Sequence, residues 1–510
     1  MTQLTKHPHR RIDRRHVAVV IVAAVAVACA GGDVDDTAPA GPTSTPTATE
    51  PGDDRTATTV VPGATTAPQS TESPGTTLEP ESGECPVDAL ADTGEPVPIE
   101  IWHAMSATTG VVFEELIADY NVSQDRVLVT PVYQGGYTET FGKYINTLRS
   151  GGDLPTIIQL SEISLQQMID SRSIVSIDDC IAADSYDLTD FPELLLDQYR
   201  VDGRLVTMPF QLANPVLFYD GNDFVAAGLD PDDPPVTLDE LVETSRALVE
   251  AGAVTSGIAL QVDAWPFEQW VATAGAALVD HDNGRSGRAE RSLLADQAVT
   301  DLLTTLAEMN REGLLLSTGR GGEQAGLAQF IAVAQGDAAM TIASSATLGE
   351  IYEQIGRVPD VDVRVGPFPV SGEGKTTIGG GSIYLTNDTT DAERSAAWDL
   401  IVWLNEPAQQ VRWSSGTGYV PTRTSAVADP TLQQLWADQP GFRVAYDQIA
   451  APGELPGGGG PVIGDYAGVR DAIEDGLEAL YGGAEVAAVQ AEIQDAADQA
   501  IADYNGRIGD

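Results

Sequence analysis

The sequence predicts an α/β protein in two lobes. Apolar residues alternate as in strands and then recur at helical spacing, again and again after residue 97. That repeating region spans about 414 residues, which is more than one comfortable core, so two lobes are the natural division. What precedes residue 97 has a composition that does not fold with the rest.

The first 29 residues carry Lys6, Arg10, Arg11, Arg14 and Arg15, then an apolar run over 17–28, then Cys29 directly after Ala26, Val27 and Ala28. This reads as a secretion signal. The run is about half the length that a membrane-crossing helix needs. The small residues before Cys29 resemble a lipobox, whose cysteine is acylated and becomes the mature N-terminus. Residues 30–84 are almost entirely Thr, Pro, Ser, Gly, Ala and acid, as in TSTPTATE and STESPGTTLEP. Such a segment cannot bury enough apolar surface to offset its ordering entropy, so it reads as a disordered tether. Behind a lipid anchor, a tether keeps the folded body close to a membrane partner and raises its effective concentration.

Two further cysteines, Cys85 and Cys180, share the oxidising compartment that the signal implies and are expected to pair. Closing so long a loop contributes on the order of 4 kcal/mol in the chain-entropy model.

Val97, Ile99 and Ile101 alternate with Pro98, Glu100 and Trp102 as a strand, and VVFEELIADYN (111–121) follows as a helix. RVLVTPVY (126–133) is a strand, TFGKYINTLRSG (140–151) a helix and PTIIQL (155–160) a strand, a succession that implies a parallel sheet. GRLVTMPF (203–210) and PVLFYD (215–220) read as strands. Thr237 with Glu240, and Thr390 with Glu393, form capping boxes that open helices. From Tyr466 onward come two or three acidic amphipathic helices with a break at Gly482 and Gly483. No internal repeat is visible.

The formal charge is −49, with lysine only at Lys6, Lys143 and Lys375. Nucleic acid and anionic membranes both need clustered cations, so neither is a partner. SGEGKTT (371–377) lacks the first glycine of a P-loop, because Pro369 stands there, and reads as a flexible surface loop. DHDNGRSGRAE (280–290) fails as a calcium loop: its glycine is one position early and Arg291 stands at the twelfth position, so it is a solvated turn. There is no G-x-S-x-G and no H-E-x-x-H, and His103 and His281 stand alone in the folded part. No catalytic residue, metal site or cofactor is expected. Carboxylates are too abundant for a glycosidase pair to be singled out, so a secreted hydrolase stays as a minor alternative.

From residue 97 to the end the chain resembles the group 1 extracellular solute-binding proteins of ABC importers, and most closely their glycerol-3-phosphate-binding branch. The matching stretches are IEIWHAM (99–105), VYQGGYTETF (132–141), PTIIQLSEI (155–163), the run from Pro215 to Leu241, AEMNREG (307–313), AMTIASSATLGEI (339–351), IGGGSIY (378–384) and GTGYVPT (416–422). The resemblance implies a periplasmic-binding-protein-like clamp with crossing hinge strands, near 210–213 and again near 381–385. Its N-terminal lobe would be 97–211 plus 383–425 and its C-terminal lobe 212–382 plus 426–510. It further implies a monomer that catalyses nothing, is held at the outer face of the cell membrane, and delivers a small molecule to ABC permease subunits.

Carried over by position, Tyr137 and Glu162 match residues that hold the glycerol hydroxyls, and Ser344, Gly380, Tyr419 and Arg470 match those that hold the phosphate. Arg offers a planar fork to phosphate oxygens, and glycine lets backbone N–H groups approach an anion. Two departures stand out. Ala213 replaces a family serine, with Asn214 beside it as a substitute donor, and of two pocket tryptophans only Trp265 is kept, the other aligning with Val262. Losing that ring is expected to leave space for a glycerophosphodiester such as glycerophosphocholine, whose ammonium Trp265 would face. The alternative is a receptor for a neutral sugar such as maltose or trehalose, stacked among Trp102, Trp265, Trp270 and Tyr419. Arg470 discriminates between the two, because a sugar pocket has no need of a buried guanidinium without an anionic partner.

Overall fold

The computed structural model describes residues 85–320 and 323–509. The signal segment with Cys29 and the tether of 30–84 lie outside the described residues. Among the described residues no helix is long and apolar enough to cross a membrane.

Two sheets organise the chain. The first is built from β1 (Val97–His103), β2 (Val127–Tyr133), β3 (Ile157–Ser161), β4 (Ile174–Val175), β7 (Met208–Ala213) and β13 (Gly379–Thr386). Its order is β2-β1-β3-β13-β4, with β7 also paired to β13. The second is built from β8 (Pro215–Asp220), β9 (Ser256–Val262), β10 (Leu315–Arg320), β11 (Ala338–Ser344) and β12 (Val363–Pro367), in the order β10-β9-β11-β8-β12. A two-strand hairpin, β5 (Arg200–Val201) and β6 (Arg204–Leu205), stands apart from both.

Local sequence explains most of these elements. In β1 the residues Val97, Ile99, Ile101 and His103 are buried while Pro98 and Glu100 are exposed, the period of a strand covered on one face. β3 and β8 are mostly apolar and buried throughout, as strands covered on both faces are. Both expected capping boxes form, Thr237 with Glu240 and Thr390 with Glu393. The carboxyl end resolves into two helices, Tyr466–Tyr481 and Val486–Gly509.

The sheets are mixed, which corrects the parallel expectation. β1 runs parallel to β2 and β3, but β13 is antiparallel to β3, β4 and β7. In the second sheet β9 is parallel to β10 and β11, whereas β8 is antiparallel to β11 and β12. The antiparallel members adjoin the places where the chain passes between sheets. β7 ends at Ala213 and β8 starts at Pro215, so Asn214 alone separates strands of different sheets. The chain returns between β12 and β13, and the first residues of β13 pair back on β7, Gly379 with Ala213 and Gly381 with Gln211.

The return segment is not the loose surface loop that its glycines suggest. Gly374 N donates to Thr273 O at 2.9 Å, Lys375 Nζ donates to Ile449 O at 2.8 Å, and Thr376 and Thr377 are buried. Nor is 280–290 a freely solvated turn. His281, Asp282 and Asn283 take left-handed conformations, and the buried Asn283 accepts at Oδ1 from Leu278 N at 3.0 Å.

One large core joins the second sheet to the helices Ala264–Thr273, Gln297–Arg311, Tyr466–Tyr481 and Val486–Gly509. A smaller one lies on the first sheet around Tyr144, Ile158, Leu160, Met168 and Tyr384. Cys85 and Cys180 form a disulfide that ties the start of the described chain to the helix Ile177–Asp184.

Candidate ligand-binding site

A cleft opens where the two sheets meet. Glu162 from the end of β3, Gln198, Trp265 and Glu268 from the helix Ala264–Thr273, Thr377 and Ile378 from the return crossing, Gly460, Pro461, Tyr466 and Arg470 line it. Its free cavity volume is only about 10 Å³, and it is partly open to solvent. Solute sites usually span roughly 300–1,000 Å³, so these walls must part or their side chains shift to admit a ligand.

Arg470 is the centre of the cleft's charge. Its Nε donates to Glu268 Oε1 and its Nη2 to Glu268 Oε2, both at 2.7 Å, and Nη2 lies 3.5 Å from Glu162 Oε1. The guanidinium sits over the Tyr466 ring, 4.9 Å from its centroid, and the Tyr466 hydroxyl donates to Glu268 Oε2 at 3.2 Å. Helical spacing makes this cluster: Trp265 and Glu268 are three residues apart on one helix, and Tyr466 and Arg470 are four apart on another. Burial alone would lower the pKa of Arg470, but Glu268, Tyr466 and Glu162 overcome it and hold the group well above its ordinary value. Burial pushes the carboxyls of Glu268 and Glu162 up, and the shared guanidinium opposes that push.

Beside Glu162 lies a layer of hydroxyls and amides. The Tyr137 hydroxyl accepts from Gln159 Nε2 at 3.2 Å, donates to Gln211 Oε1 at 3.4 Å and is hydrogen-bonded to Tyr419. Burial and the charge of Glu162 push Tyr137 up to about 12, so it is a neutral phenol that both donates and accepts. Tyr419, stacked on Trp413 at 5.2 Å, is raised further by burial and by Tyr137. The backbone N–H of Gly380 donates to the Glu162 carboxylate. Gly380 has φ +118°, and an added Cβ would lie 2.2 Å from Gln211 O, so the position needs glycine for conformation and closeness alike.

Of the residues singled out by sequence, Glu162, Trp265 and Arg470 line the cleft, and Tyr137, Gly380 and Tyr419 form the layer next to it. Ser344 ends β11, where its Oγ accepts from Ala346 N at 3.2 Å and caps a short turn. Asn214 is fully buried, is not among the cleft-lining residues, and its Nδ2 donates to Ala445 O at 3.1 Å. Val262 is 2% exposed in the core of the second sheet and is not among the cleft-lining residues, so its smaller side chain does not widen the cleft directly. Trp270 is also a core residue, with Nε1 bonded to Pro369 O at 2.9 Å, and Trp102 packs on the first sheet's core.

Among the cleft-lining residues, sequence did not single out Glu268, Tyr466, Gln198, Thr377, Ile378, Gly460 and Pro461. Gly460 N donates to Gln198 Oε1 at 2.8 Å, and Val462 in the same segment packs in the first sheet's core. The glycine run 457–460 was the available signal for that third contact between the lobes. Glu268 changes one argument, because the anionic partner that Arg470 requires is already supplied by the protein. Away from the cleft, Asp280, His281 and Glu290 bring possible metal-ligand atoms within 4.8 Å of one another, but Arg291 Nε lies 3.6 Å from Asp280 Oδ2 and supplies a cation there.

Residues 115–442 match the family model described as bacterial extracellular solute-binding protein. The chain is 28% identical over 397 residues to the sn-glycerol-3-phosphate-binding periplasmic protein UgpB of Yersinia enterocolitica, covering 76% of this chain and 88% of that one. The counterpart in Salmonella typhimurium is 27% identical over 410 residues, covering 78% and 91%. Among solved structures, UgpB from Mycobacterium tuberculosis in complex with glycerophosphocholine superimposes with TM-score 0.65 at 22% identity, covering 80% of this chain and 99% of that one. The GacH receptor of Streptomyces glaucescens, solved unliganded and with acarbose, gives 0.67 at 16% identity, with 80% and 99% covered. A cyclic alpha-maltosyl-1,6-maltose binding protein from Arthrobacter globiformis gives 0.65 at 23% identity, with 80% and 100% covered.

Proposed function

The chain belongs to the bacterial extracellular solute-binding proteins, and from that premise we propose that it captures a glycerol-phosphate compound, a glycerophosphodiester such as glycerophosphocholine or glycerol-3-phosphate, between its two lobes. Proteins of this family are substrate-binding components of importers and not enzymes; they hand small molecules to membrane permeases. The secreted-hydrolase alternative therefore falls away.

The observation that carries the ligand class is the partly buried guanidinium of Arg470, which lines the cleft together with Glu162 and Trp265. Arg470 meets the phosphate as a two-pronged donor. Glu162 and Tyr137 accept and donate to the glycerol hydroxyls, and the ring of Trp265 covers the remaining substituent. Similarity to glycerol-3-phosphate-binding relatives over three quarters of the chain supports this reading.

The second reading is a neutral sugar. The pairing of Arg470 with Glu268 favours it, since the cleft does not demand an anion. Against it, Trp265 is the one tryptophan lining the cleft among the described residues, and Trp270 cannot stack on a ring from the core.

Calorimetric titration with glycerophosphocholine, glycerol-3-phosphate, maltose and trehalose separates the two. Arg470→Ala is expected to weaken the phosphate compounds at least ~100-fold, the loss of a buried charged pair of hydrogen bonds. Binding of a sugar alone, unchanged in that variant, would establish the second reading instead. Acylation of Cys29 is the anchoring step of this proposal. Cys29→Ala is expected to move the protein from the membrane fraction to the soluble one, and unchanged membrane retention would contradict the anchor.

A further inference from the structure

Glu268 is 3% exposed, and both of its carboxylate oxygens are engaged by Arg470 at 2.7 Å. The charged residues lining the cleft are Glu162, Glu268 and Arg470, two negative and one positive, so their formal sum is −1. A phosphate that takes the same Nε/Nη2 edge of the guanidinium must displace Glu268 from at least one of those bonds, whereas one held on the Nη1 edge would leave them in place. A buried carboxylate stripped of its cation is costly. Glycerol-3-phosphate offers nothing to offset that cost and adds its own negative charge beside Glu162 and Glu268. A phosphodiester that also carries an ammonium group adds no net charge and brings a new cation for the released carboxylate.

Resting on the glycerol-phosphate reading of the site, we infer that Glu268 is a specificity residue. It exchanges Arg470 for the cationic end of a zwitterionic phosphodiester and so selects that ligand over a phosphate monoester. Position supports the exchange. Trp265 and Glu268 project from one helix face into the same cleft, so an ammonium leaving the phosphate toward Glu268 also meets the Trp265 ring. The Tyr466 hydroxyl stays on Glu268 Oε2 and holds the carboxylate in place while Arg470 turns.

The test is calorimetric titration of the wild-type chain, Glu268→Gln and Glu268→Asp with glycerophosphocholine, glycerophosphoethanolamine and glycerol-3-phosphate. The wild type prefers both zwitterions to the monoester. Glu268→Gln keeps the shape and removes the charge; it should weaken the zwitterions and strengthen glycerol-3-phosphate, each by roughly tenfold, as expected for one charge interaction in a cleft partly open to solvent. Glu268→Asp keeps the charge and should keep the order of preference, which guards against misreading a folding defect. Equal changes for all three ligands in Glu268→Gln would overturn the inference and leave Glu268 as the counter-ion of Arg470 alone. A wild type that binds none of the three would overturn the glycerol-phosphate reading itself, and this role with it.

Discussion

His103 ends β1 fully buried, with Phe113 at 5.0 Å and Tyr133 at 5.9 Å between ring centroids. Burial lowers its pKa from 6.5 to about 4, against a smaller opposing contribution from the backbone of Met105. The unfolded chain therefore takes up a proton between these values that the folded chain refuses. Stability from this group is complete above pH 6.5 and is lost as pH falls toward 4, by about 3 kcal/mol in total. Denaturant unfolding at pH 7.5 and pH 4 should show that His103→Gln loses less stability on acidification than the wild type by about this amount; an equal loss would contradict the assignment. At this scale the sequence was legible where residue type is rare. Arg470 and Trp265 could be singled out because few arginines and tryptophans stand in matching motifs. Glu268 could not, because one carboxylate among 76 acidic residues carries no signal until folding sets it three residues from Trp265 on a helix face turned to Arg470.

At the scale of elements, the turn of 280–290 fastens the lobes together. Arg288 donates to Asp170 through Nη1 at 2.9 Å and Nη2 at 2.5 Å, and the Tyr504 hydroxyl reaches the same carboxylate at 2.9 Å. Asp170 lies on the helix Leu165–Ser171, which packs on the first sheet, while Tyr504 belongs to the last helix, packed on the second sheet's core. Nearby, Arg285 donates to the carbonyls of Asp197, Gln198, Arg200 and Gly460. The Asp170 side chain is 1% exposed, so removing its cation leaves a buried carboxylate held only by Tyr504 and Gln166. Arg288→Ala should cost roughly 2–3 kcal/mol in denaturant unfolding, reduced from the fully buried case because Arg288 is itself about a third exposed. A cost below ~0.5 kcal/mol would place the latch among inert surface pairs. Alternation and capping boxes gave these elements away in advance, since both are local. Strand direction did not show, because antiparallel pairing of β13 with β3 and β7 depends on contacts more than 160 residues apart. The stretch 203–210 reads as one strand but turns sharply at Asp202 and Gly203 and breaks before Met208, where Thr207 Oγ1 is drawn to Ile383 O.

Over the whole molecule, acidity and ligand choice point the same way. A chain of formal charge −49 repels an approaching phosphate monoester, whereas a zwitterion without net charge feels no such long-range force. The cleft repeats that bias at close range, with two carboxylates around one guanidinium. In the proposed complex a phosphodiester comes to rest against Arg470 between the lobes. Phosphorus NMR of glycerophosphocholine with the purified protein tests it most directly. The resonance is expected to shift or broaden on adding the wild type, and to return to its free position and width with Arg470→Ala. A resonance that stays sharp and unmoved with the wild type, at concentrations where maltose or trehalose binds, would contradict it.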